Sequence, residues 1–444
     1  MTKVITYGTY DLLHYGHIRL LQRAKALGDY LIVGITSDAY DKARGKINVQ
    51  QSLVERIEAV EKTGLADKIV VEEYDGQKID DIKKYGVDIF TVGSDWKGKF
   101  DYLNEYCRVV YLDRTEGISS SEIRAEKREI QLGLVGDSPI INKFSNESRF
   151  VNGVELVGVC TKNKSMLSKE VLSLPVVTDS FDKILESSDA LYIISEPENH
   201  YEQIKKALLK GKHVLCESPV ALKISEWDEL VKLAEEKKCI LMDGIKTAYS
   251  DAYNHLLLLL KSGIIGKIVS IDCTCTSLKN FENLESSDSW NSICSWGPTV
   301  LLPVFQLLGT SYKSKTIVTH FLNEQKKIDS FTKIDFIYSD AVASIKVGQG
   351  VKSEGELVIS SSKGYVYVPA PWWKTDYFEI RYENPQDNKR YFYQLDGEGI
   401  RYEIVSFIKA IQSCKNYSYI DKNVSEGIIK IMQDFNSGTD VVKI

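Results

Sequence analysis

Two histidines, His14 and His17, stand three residues apart around Gly16, in a chain that has only six histidines. Side chains at positions i and i+3 share one face of a helical turn, so the two imidazoles are expected side by side. Glycine leaves room for a ligand to approach the backbone. A lone histidine would more often cap or pack, but this pair follows a short apolar run, where the start of a helix attracts phosphate. The spacing therefore indicates phosphate chemistry.

The residues around the pair are typical of a strand, a turn and a helix. Apolar runs at 3–8 and 30–36 enclose a segment with helical spacing that ends at Gly28. This alternation continues to about residue 125 and predicts a parallel sheet with helices on both faces. The segment Gly8–Asp11 leaves the carboxyl end of the first strand, where open α/β sheets bind ligands.

Two further regions follow along the chain. A second alternating series opens at 130–136, and from about residue 270 long β-rich runs predict an open, largely antiparallel sheet with a final helix around 401–413. The predicted fold class is α/β. The predicted domains are a Rossmann-like α/β domain at 1–128, a second Rossmann-like domain at 129–248, and an α+β domain at 249–444.

Composition limits the classes of function. The 444 residues are too many for one hydrophobic core, and a net charge of -6 with 43% apolar residues gives no general attraction for nucleic acid or membrane. The most apolar stretch, from His255, is broken by Lys261 and Gly263 well short of a membrane span. No signal-peptide pattern opens the chain, so a cytoplasmic location is predicted. The eight cysteines are scattered, which favours reduced thiols over a metal site.

Three motifs occur in order within the first 125 residues. ITYGTYDLLHYGHIRLLQRAKALGDYLIVGITSD, GSDWKGKFDYL and LDRTEGISSSEIR together resemble the nucleotidyltransferase superfamily with an HxGH motif, most closely the glycerol-3-phosphate cytidylyltransferases. The resemblance implies attack of a polyol phosphate on the α-phosphorus of CTP. Such a reaction needs alignment and charge stabilisation more than a covalent nucleophile.

The same resemblance implies roles for individual residues. His14 and His17 would contact the CTP phosphates and stabilise the pyrophosphate leaving group, with Arg44, Lys46 and Arg114 as further catalytic residues. For Arg44 and Lys46, a merely solvated charged loop is an equal alternative. Mg²⁺ is expected with CTP, held by phosphates and water rather than by a protein cluster. The residues expected to bind nucleotide or acceptor are Gly8, Thr9, Tyr10, Asp11, Arg56, Asp95, Trp96, Thr115, Ile118, Ser119 and Ser120.

The later part of the chain resembles a different family. ALYIISEPENHYEQIKKALLKGKHVLCESPVAL, at 190–222, resembles the Gfo/Idh/MocA family of NAD(P)-dependent oxidoreductases, and the resemblance extends over 130–444. It implies NAD or NADP as cofactor. The glycine motif itself is weak, because only Gly136 remains of a G-x-G-x-x-G pattern and Ser138 takes the second glycine position. Lys162 stands where a 2′-phosphate of NADP would be met.

The catalytic positions of that second family depart from its pattern. Its Glu-Lys-Pro triplet is Glu217-Ser218-Pro219 here, and a serine hydroxyl cannot replace an ammonium as proton donor or electrostatic clamp. Thr299 takes the place of the family's second acid or base residue. Both substitutions put hydride transfer in doubt.

Two interpretations of residues 130–444 therefore stay open. In the first, this part is a reductase with a rearranged site that uses Lys246 or Tyr249. In the second, it is a degenerate module for binding or dimerisation, and the loss of the expected lysine favours this second interpretation. The predicted function is CMP transfer from CTP to a polyol phosphate, glycerol phosphate first, in a chain with an oxidoreductase-like second half. The bifunctional alternative reduces a keto-polyol phosphate with NAD(P)H and then activates it, for teichoic-acid-like or capsular polymers. The expected partners are these small molecules, without nucleic acid or membrane insertion, and a homodimer or larger homo-oligomer is expected.

Overall fold

The computed structural model describes residues 1–43, 49, 51–74, 76–113, 129–279, 291–393, 395–414 and 418–444. The chain divides into two compact units, Met1–Glu129 and Ile130–Ile444. Within the described ranges, no helix combines the length and the apolar character that a membrane crossing requires.

The first unit is a doubly wound parallel sheet. Its strands are β1 (Lys3–Gly8), β2 (Tyr30–Thr36), β3 (Lys68–Glu72), β4 (Ile89–Gly93) and β5 (Arg108–Leu112). Its helices are α1 (Tyr15–Lys25), α2 (Asp38–Ala43), α3 (Leu53–Glu61) and α4 (Gln77–Tyr85). The strand order is β3-β2-β1-β4-β5, and every pair is parallel.

The two faces of this sheet have separate cores. Val4 and Val33 pack with residues of α1 and α3 on one face, whereas Ile5, Ile32 and Phe90 pack with residues of α4 on the other. Successive residues of a strand point to opposite faces, which explains this division. The strand order reverses between β1 and β4, so the segment that follows β1 leaves the sheet at its topological switch point.

The second unit begins with another parallel sheet. Its strands are β6 (Ile130–Val135), β7 (Val154–Cys160), β8 (Val176–Thr178), β9 (Ala190–Ile193), β10 (His213–Glu217) and β11 (Leu241–Gly244). Its helices are α5 (Ile140–Ser148), α6 (Lys169–Leu172), α7 (Phe181–Ser187), α8 (Pro197–Leu209) and α9 (Ile224–Lys237). The order β11-β10-β9-β6-β7-β8 places the switch point between β6 and β9.

A nine-stranded sheet completes the second unit. Its strands are β12 (Ile268–Thr276), β13 (Ser314–Asn323), β14 (Ile328–Ile337), β15 (Val342–Gly348), β16 (Leu357–Ser361), β17 (Tyr365–Val368), β18 (Tyr377–Arg381), β19 (Lys389–Phe392) and β20 (Val441–Lys443). The associated helices are α10 (Asp251–Lys261), α11 (Ser292–Leu308), α12 (Ile400–Ser413) and α13 (Lys422–Ser437). Only β12 with β15 and β13 with β20 pair in parallel; the other pairs are antiparallel.

The predicted fold class is confirmed: two parallel Rossmann-like sheets precede a largely antiparallel one. The helix predicted around 401–413 is α12, but it is not the last element, since α13 and β20 follow it. The helical spacing of Val424, Ile428 and Phe435, all buried in α13, was the signal for this additional helix.

Candidate functional site

The two histidines of the first unit lie together at the start of α1. His14 is the N-cap of the helix, and its Nδ1 accepts a hydrogen bond from the Gly16 N–H at 3.1 Å. The rings of His14 and His17 stack with centroids 3.8 Å apart, and the Tyr10 ring meets His17 edge to face at 5.5 Å. Because His14 Nδ1 is an acceptor, a neutral ring carries its proton on Nε2 and donates from there.

The loop between β1 and α1 has an unusual backbone. Tyr10 and Leu12 adopt left-handed conformations, with φ of 53° and 49°. Such conformations are uncommon for bulky residues and concentrate at functional sites. Gly8 allows this path, because a Cβ at that position would lie 3.0 Å from the Tyr10 ring.

Arg56 holds this loop from beneath and is fully buried. Its Nη1 donates to the carbonyl oxygens of Thr9 at 2.6 Å and Thr36 at 2.9 Å. Its Nε donates to Gln51 O at 3.2 Å, and Nη2 to Asp38 Oδ1 at 2.5 Å. Four of the five guanidinium N–H groups thus bond to protein atoms. Arg56 therefore ties the loop after β1 to the loop after β2.

Asp11 and Thr9 fasten the same loop with their side chains. Asp11, which is buried, accepts a hydrogen bond from the Gln51 N–H at 3.0 Å, and Gln51 Oε1 accepts one from the Leu12 N–H at 2.7 Å. Thr9 Oγ1 donates to Asp41 Oδ1 at 2.9 Å. These bonds fix the backbone that leads into the histidine pair.

A pocket opens beside this loop, and a buried lysine lies in it. Lys78 pairs with buried Glu72, and its Nζ lies 4.8 Å from the centroid of the Tyr7 ring and 5.6 Å from that of Phe100. The Thr36 hydroxyl also donates to Glu72, at 3.0 Å. Lysine is rarely buried without a specific reason. The residues that line the pocket are Tyr7, Gly8, Thr9, Thr36, Glu72, Lys78, Phe90, Val92, Trp96 and Phe100.

In the second unit, the turn between β6 and α5 packs tightly against the segment after β9. Gly136 has a φ of 142°, and a Cβ there would lie 2.4 Å from the Ile194 carbonyl oxygen. Ser138 Oγ accepts a hydrogen bond from the Ile140 N–H at 3.4 Å, at the N-terminus of α5. The Lys162 N–H donates to the carboxylate of Asp137 at 2.8 Å, whereas the Lys162 side chain is exposed.

Buried carboxyl groups and one lysine meet at the ends of β10 and β11. The Tyr192 hydroxyl donates to Glu217 Oε1 at 2.5 Å. Desolvation raises the pKa of Glu217, while the Tyr192 hydrogen bond and the charge of Lys246 oppose the rise. Burial also raises the pKa of Glu403 well above its usual range; the charge of Glu217 adds to this rise and Lys246 opposes it. The charge of Lys246 thus acts on both glutamates.

Other predicted residues of this unit lie around that group. Tyr249 is buried, and its hydroxyl donates to the Asp243 carbonyl oxygen at 2.8 Å. Burial raises the pKa of the Asp243 carboxyl to about 6, while the hydroxyls of Ser425 and Ser218 oppose the rise. Thr299 lies within α11 and is partly buried.

Comparison with known proteins identifies the first unit. A family model for cytidylyltransferase-like proteins matches residues 5–126. A glycerol-3-phosphate cytidylyltransferase of Bacillus spizizenii is 50% identical over 126 residues, which cover 28% of this chain and 97% of that protein. The chain belongs to the cytidylyltransferase-like family. A glycerol-3-phosphate cytidylyltransferase of Staphylococcus aureus is 48% identical over 126 residues, covering 28% of this chain and 95% of its own. The predicted resemblance is confirmed, and the first unit is a nucleotidyltransferase domain.

The second unit of this cytidylyltransferase-like chain matches a different model, the oxidoreductase family with an NAD-binding Rossmann fold, at residues 131–245. KijD10, a 3-ketoreductase from Actinomadura kijaniata solved with NADP and TDP-benzene, aligns with a TM-score of 0.60 at 15% identity, over 71% of this chain and all of its own. The UDP-N-acetylglucosamine 3-dehydrogenase GnnA from Acidithiobacillus ferrooxidans aligns with a TM-score of 0.58 at 16% identity, over 70% of this chain and 98% of its own. The predicted second family is confirmed, and these two structures show its fold.

The structure thus brings together part of the predicted cytidylyltransferase site. Within the described ranges, no group of three or more His, Cys, Asp or Glu side chains is arranged to hold a metal ion. Lys78 was not predicted, since nothing in its local sequence separates it from the other lysines of α4. The predicted residues that lie outside the described part are Arg44, Lys46, Arg114, Thr115, Ile118, Ser119 and Ser120, together with the side chain of Asp95.

Proposed function

We propose that the first unit transfers CMP from CTP to a polyol phosphate, with glycerol phosphate as the preferred acceptor. A phosphate oxygen of the acceptor attacks the α-phosphorus of CTP, the bond from that phosphorus to the bridging oxygen breaks, and pyrophosphate leaves. The observation that carries the proposal is the stacked pair His14 and His17 at the N-terminus of α1, at the switch point of the sheet. The relatives named glycerol-3-phosphate cytidylyltransferase support the choice of acceptor.

The histidines would act on charge rather than as nucleophiles. Donors such as His14 Nε2, together with the N–H groups at the start of α1, stabilise the negative charge that grows on the pyrophosphate. Mg²⁺ would accompany CTP, bound mainly by phosphate oxygens and water. Its role would be to offset charge on the triphosphate.

Arg56 and Lys78 would have different tasks. Because Arg56 is buried and bonded to protein carbonyl groups, we assign it as a positioning residue for the loop Gly8–Asp11. Lys78 lines the pocket next to Gly8 and Thr9, so its ammonium would hold the phosphate of the acceptor. The partly exposed Trp96 would form a wall of the same pocket.

The test is pyrophosphate release from CTP with glycerol phosphate. His14→Ala and His17→Ala should each lower the rate by at least about 100-fold, the effect of losing a preorganised donor to developing charge. His320→Ala is the matched control. The His320 side chain is exposed on β13, and among the described residues its hydrogen-bond partner is the Ser330 hydroxyl. Wild-type rates in both His14 and His17 variants would refute the proposal.

We also propose that the second unit is a reductase with a rearranged site rather than a degenerate module. The specific observation is Lys246, whose charge acts on Glu217, the glutamate of the altered triplet. Lys246, two residues beyond β11, would thus supply the ammonium that position 218 lacks. Tyr249 is a weaker candidate, because its hydroxyl is bonded in the core.

The residues of the β6–α5 turn fit a nicotinamide dinucleotide. Gly136 closes against Ile194 in a way that a side chain would prevent, and the N-terminus of α5 suits a pyrophosphate. The bound nicotinamide would supply a hydride. Lys246 would hold a proton at Nζ and stabilise the developing alkoxide.

Two measurements test this second activity. Titration of NADH and NADPH, followed by nicotinamide fluorescence, should show binding of at least one of them to the wild-type chain. The rate at which the bound nicotinamide cofactor is oxidised by ketose phosphates should fall at least about 100-fold in Lys246→Met, while the affinity for the cofactor is retained. Lys267→Met, which removes an exposed lysine paired with Asp340, is the control. Absence of both binding and oxidation in the wild-type chain would refute the proposal.

A further inference from the structure

Three lysines of the second unit converge on one carboxylate, Glu398. Lys374 Nζ lies 2.7 Å from Glu398 Oε1, Lys143 Nζ lies 3.2 Å from both oxygens, and Lys246 Nζ lies 3.7 Å from Oε2. The lysines come from α5, from the 3-10 helix Lys246–Tyr249 after β11, and from the 3-10 helix Trp372–Lys374 between β17 and β18. Three separate parts of the unit thus each contribute one lysine that contacts the same carboxylate.

Three ammonium groups of the described residues share the carboxylate of Glu398. Among the ion pairs of the described residues, Glu398 is the only acidic partner of Lys143 and of Lys374. Burial would raise the pKa of Glu398, but hydrogen bonds from Lys374 and Lys143 and the charge of Lys246 outweigh it and lower the pKa to about 2. Glu398 is therefore ionised under all ordinary conditions, and three ammonium groups surround this one carboxylate.

The cluster is open to solvent. The side chains of Lys143, Lys374 and Lys246 are 57%, 37% and 26% exposed, and that of Glu398 is 32% exposed. An anion can therefore reach the three ammonium groups. An exposed ion pair contributes little to stability, so three lysines around one glutamate are hard to explain as a structural device alone.

A specific turn presents Glu398 to the lysines. Gly397, Glu398 and Gly399 are all left-handed, with φ of 58°, 54° and 93°. A Cβ at Gly399 would lie 3.0 Å from the Lys246 carbonyl oxygen, and one at Gly397 would overlap the Glu147 carboxylate. The turn is thus fitted against α5 and against the segment that carries Lys246.

Aromatic side chains adjoin the cluster on one side. Lys374 follows Trp373, whose ring centroid lies 5.2 Å from that of Trp296 on α11. Trp296 is three residues before Thr299, the residue that sequence matching places at the family's second catalytic position. The residue next to Lys374 in the sequence thus contacts the helix that carries Thr299.

We propose that Lys143, Lys246 and Lys374 bind the terminal phosphate of a phosphorylated carbonyl compound, which displaces Glu398 from them. The proposal rests on the proposed reductase function and names its class of substrate. A phosphate monoester carries close to two negative charges and three acceptor oxygens, which match three converging ammonium groups. A phosphodiester or a neutral ketone offers fewer negative charges and fewer acceptor oxygens. In dihydroxyacetone phosphate a single CH₂ group separates the carbonyl carbon from the ester oxygen, so Lys246 would contact both the phosphate and the carbonyl oxygen.

The experiment uses the full chain and reads each lysine separately, so that ligand in the first unit does not contribute. Amine-reactive labelling followed by peptide mass spectrometry measures protection of Lys143 and Lys374 across a titration of dihydroxyacetone phosphate. Inorganic phosphate, unphosphorylated dihydroxyacetone and CDP-glycerol are titrated in parallel. Glu398→Gln should lower the Kd for dihydroxyacetone phosphate about tenfold, because it removes the competing carboxylate. Lys374→Gln, measured by protection of Lys143, should raise the same Kd about tenfold. Glu324→Gln, which removes a surface partner of Lys443, should leave it unchanged.

The outcomes separate the two proposals. Protection by the monoester that tightens in Glu398→Gln supports the phosphate site, and if no ketose phosphate is then reduced, only the reductase proposal fails. Equal Kd values in wild type, Glu398→Gln and Lys374→Gln would overturn the site even if NADPH oxidation is observed. Stronger protection by CDP-glycerol than by the monoester would overturn the assigned class of substrate.

Discussion

Lys78 and Glu72 form a buried ion pair beside the proposed acceptor site. A buried pair is weak evidence of stabilisation, because desolvation of both ions offsets their attraction. Lys78 also lies over the faces of Tyr7 and Phe100, and it lines the pocket beside the histidine loop. In the proposed reaction this ammonium would meet the acceptor phosphate while still paired with Glu72.

Replacement of Lys78 separates acceptor binding from nucleotide binding. We expect Lys78→Met to raise the KM for glycerol phosphate at least about tenfold, the effect of losing a charge-assisted bond, while the KM for CTP changes little. It also leaves Glu72 buried without its cation, which costs roughly 3 kcal/mol in the free energy of unfolding. Initial rates and urea unfolding measure the two effects.

A second variant keeps the two effects of Lys78 apart. The double variant Lys78→Met with Glu72→Gln removes both charges, so most of the lost stability should return while the high KM for glycerol phosphate remains. If the double variant recovers a wild-type KM, Lys78 has only a structural role.

Asp243 gives the second unit a characteristic dependence on pH. Burial raises the pKa of its carboxyl from 3.8 to about 6 in the folded chain. The protonated carboxyl therefore stabilises the folded state fully below about pH 4, and this contribution disappears as the pH rises through about 6. A shift of about two units corresponds to roughly 3 kcal/mol.

Asp243→Asn imitates the protonated form, so its free energy of unfolding relative to wild type should increase by up to roughly 3 kcal/mol between pH 4 and pH 7. The same difference at both pH values would show that Asp243 is ionised without cost.

At the scale of elements, the turn between β6 and α5 is the segment that would meet the proposed nicotinamide dinucleotide. Gly136→Ala would place a Cβ 2.4 Å from the Ile194 carbonyl oxygen, so the turn must shift. We expect NADPH binding to weaken at least about tenfold, because the backbone that meets the pyrophosphate moves. Transferase activity in the first unit should not change. Gly211→Ala is the matched control, since Gly211 also has a positive φ but no atom lies within 4 Å of its added Cβ. Equal weakening in both variants would mean that backbone strain alone is responsible.

The strands, the helices and the histidine pair could largely be predicted from the sequence, whereas contacts between residues far apart along the chain could not. The alternation of apolar runs and helical segments predicts both parallel sheets, and the His14–His17 spacing predicts a phosphate site at the start of α1. Lys78 reaches that site only because α4 packs beside β1 and β4, and Glu398 reaches Lys246 from about 150 residues away along the chain. No local period or motif carries such information, since it depends on how the sheets and turns assemble. The predicted homo-oligomer stays a prediction.

At the scale of the whole molecule, two compact units carry two proposed reactions that follow one another. Reduction of a ketose phosphate gives a polyol phosphate, and this product is the acceptor for CMP transfer. Wild-type chain supplied with dihydroxyacetone phosphate, NADPH and CTP should therefore release pyrophosphate. His14→Ala and Lys246→Met should each fail in this assay, but Lys246→Met should still release pyrophosphate when glycerol phosphate is supplied.

A mixture of the two variants tests how the intermediate passes between the reactions. Each compact unit has its own core, so each intact unit should work in a chain whose other unit is inactive. An equimolar mixture of His14→Ala and Lys246→Met should then recover pyrophosphate release from dihydroxyacetone phosphate, after a lag in which glycerol phosphate accumulates. The lag should shorten when more of the His14→Ala chain is added, because that chain supplies the reduction. A mixture that stays inactive while each variant retains its remaining single activity would show that both sites must act within one chain.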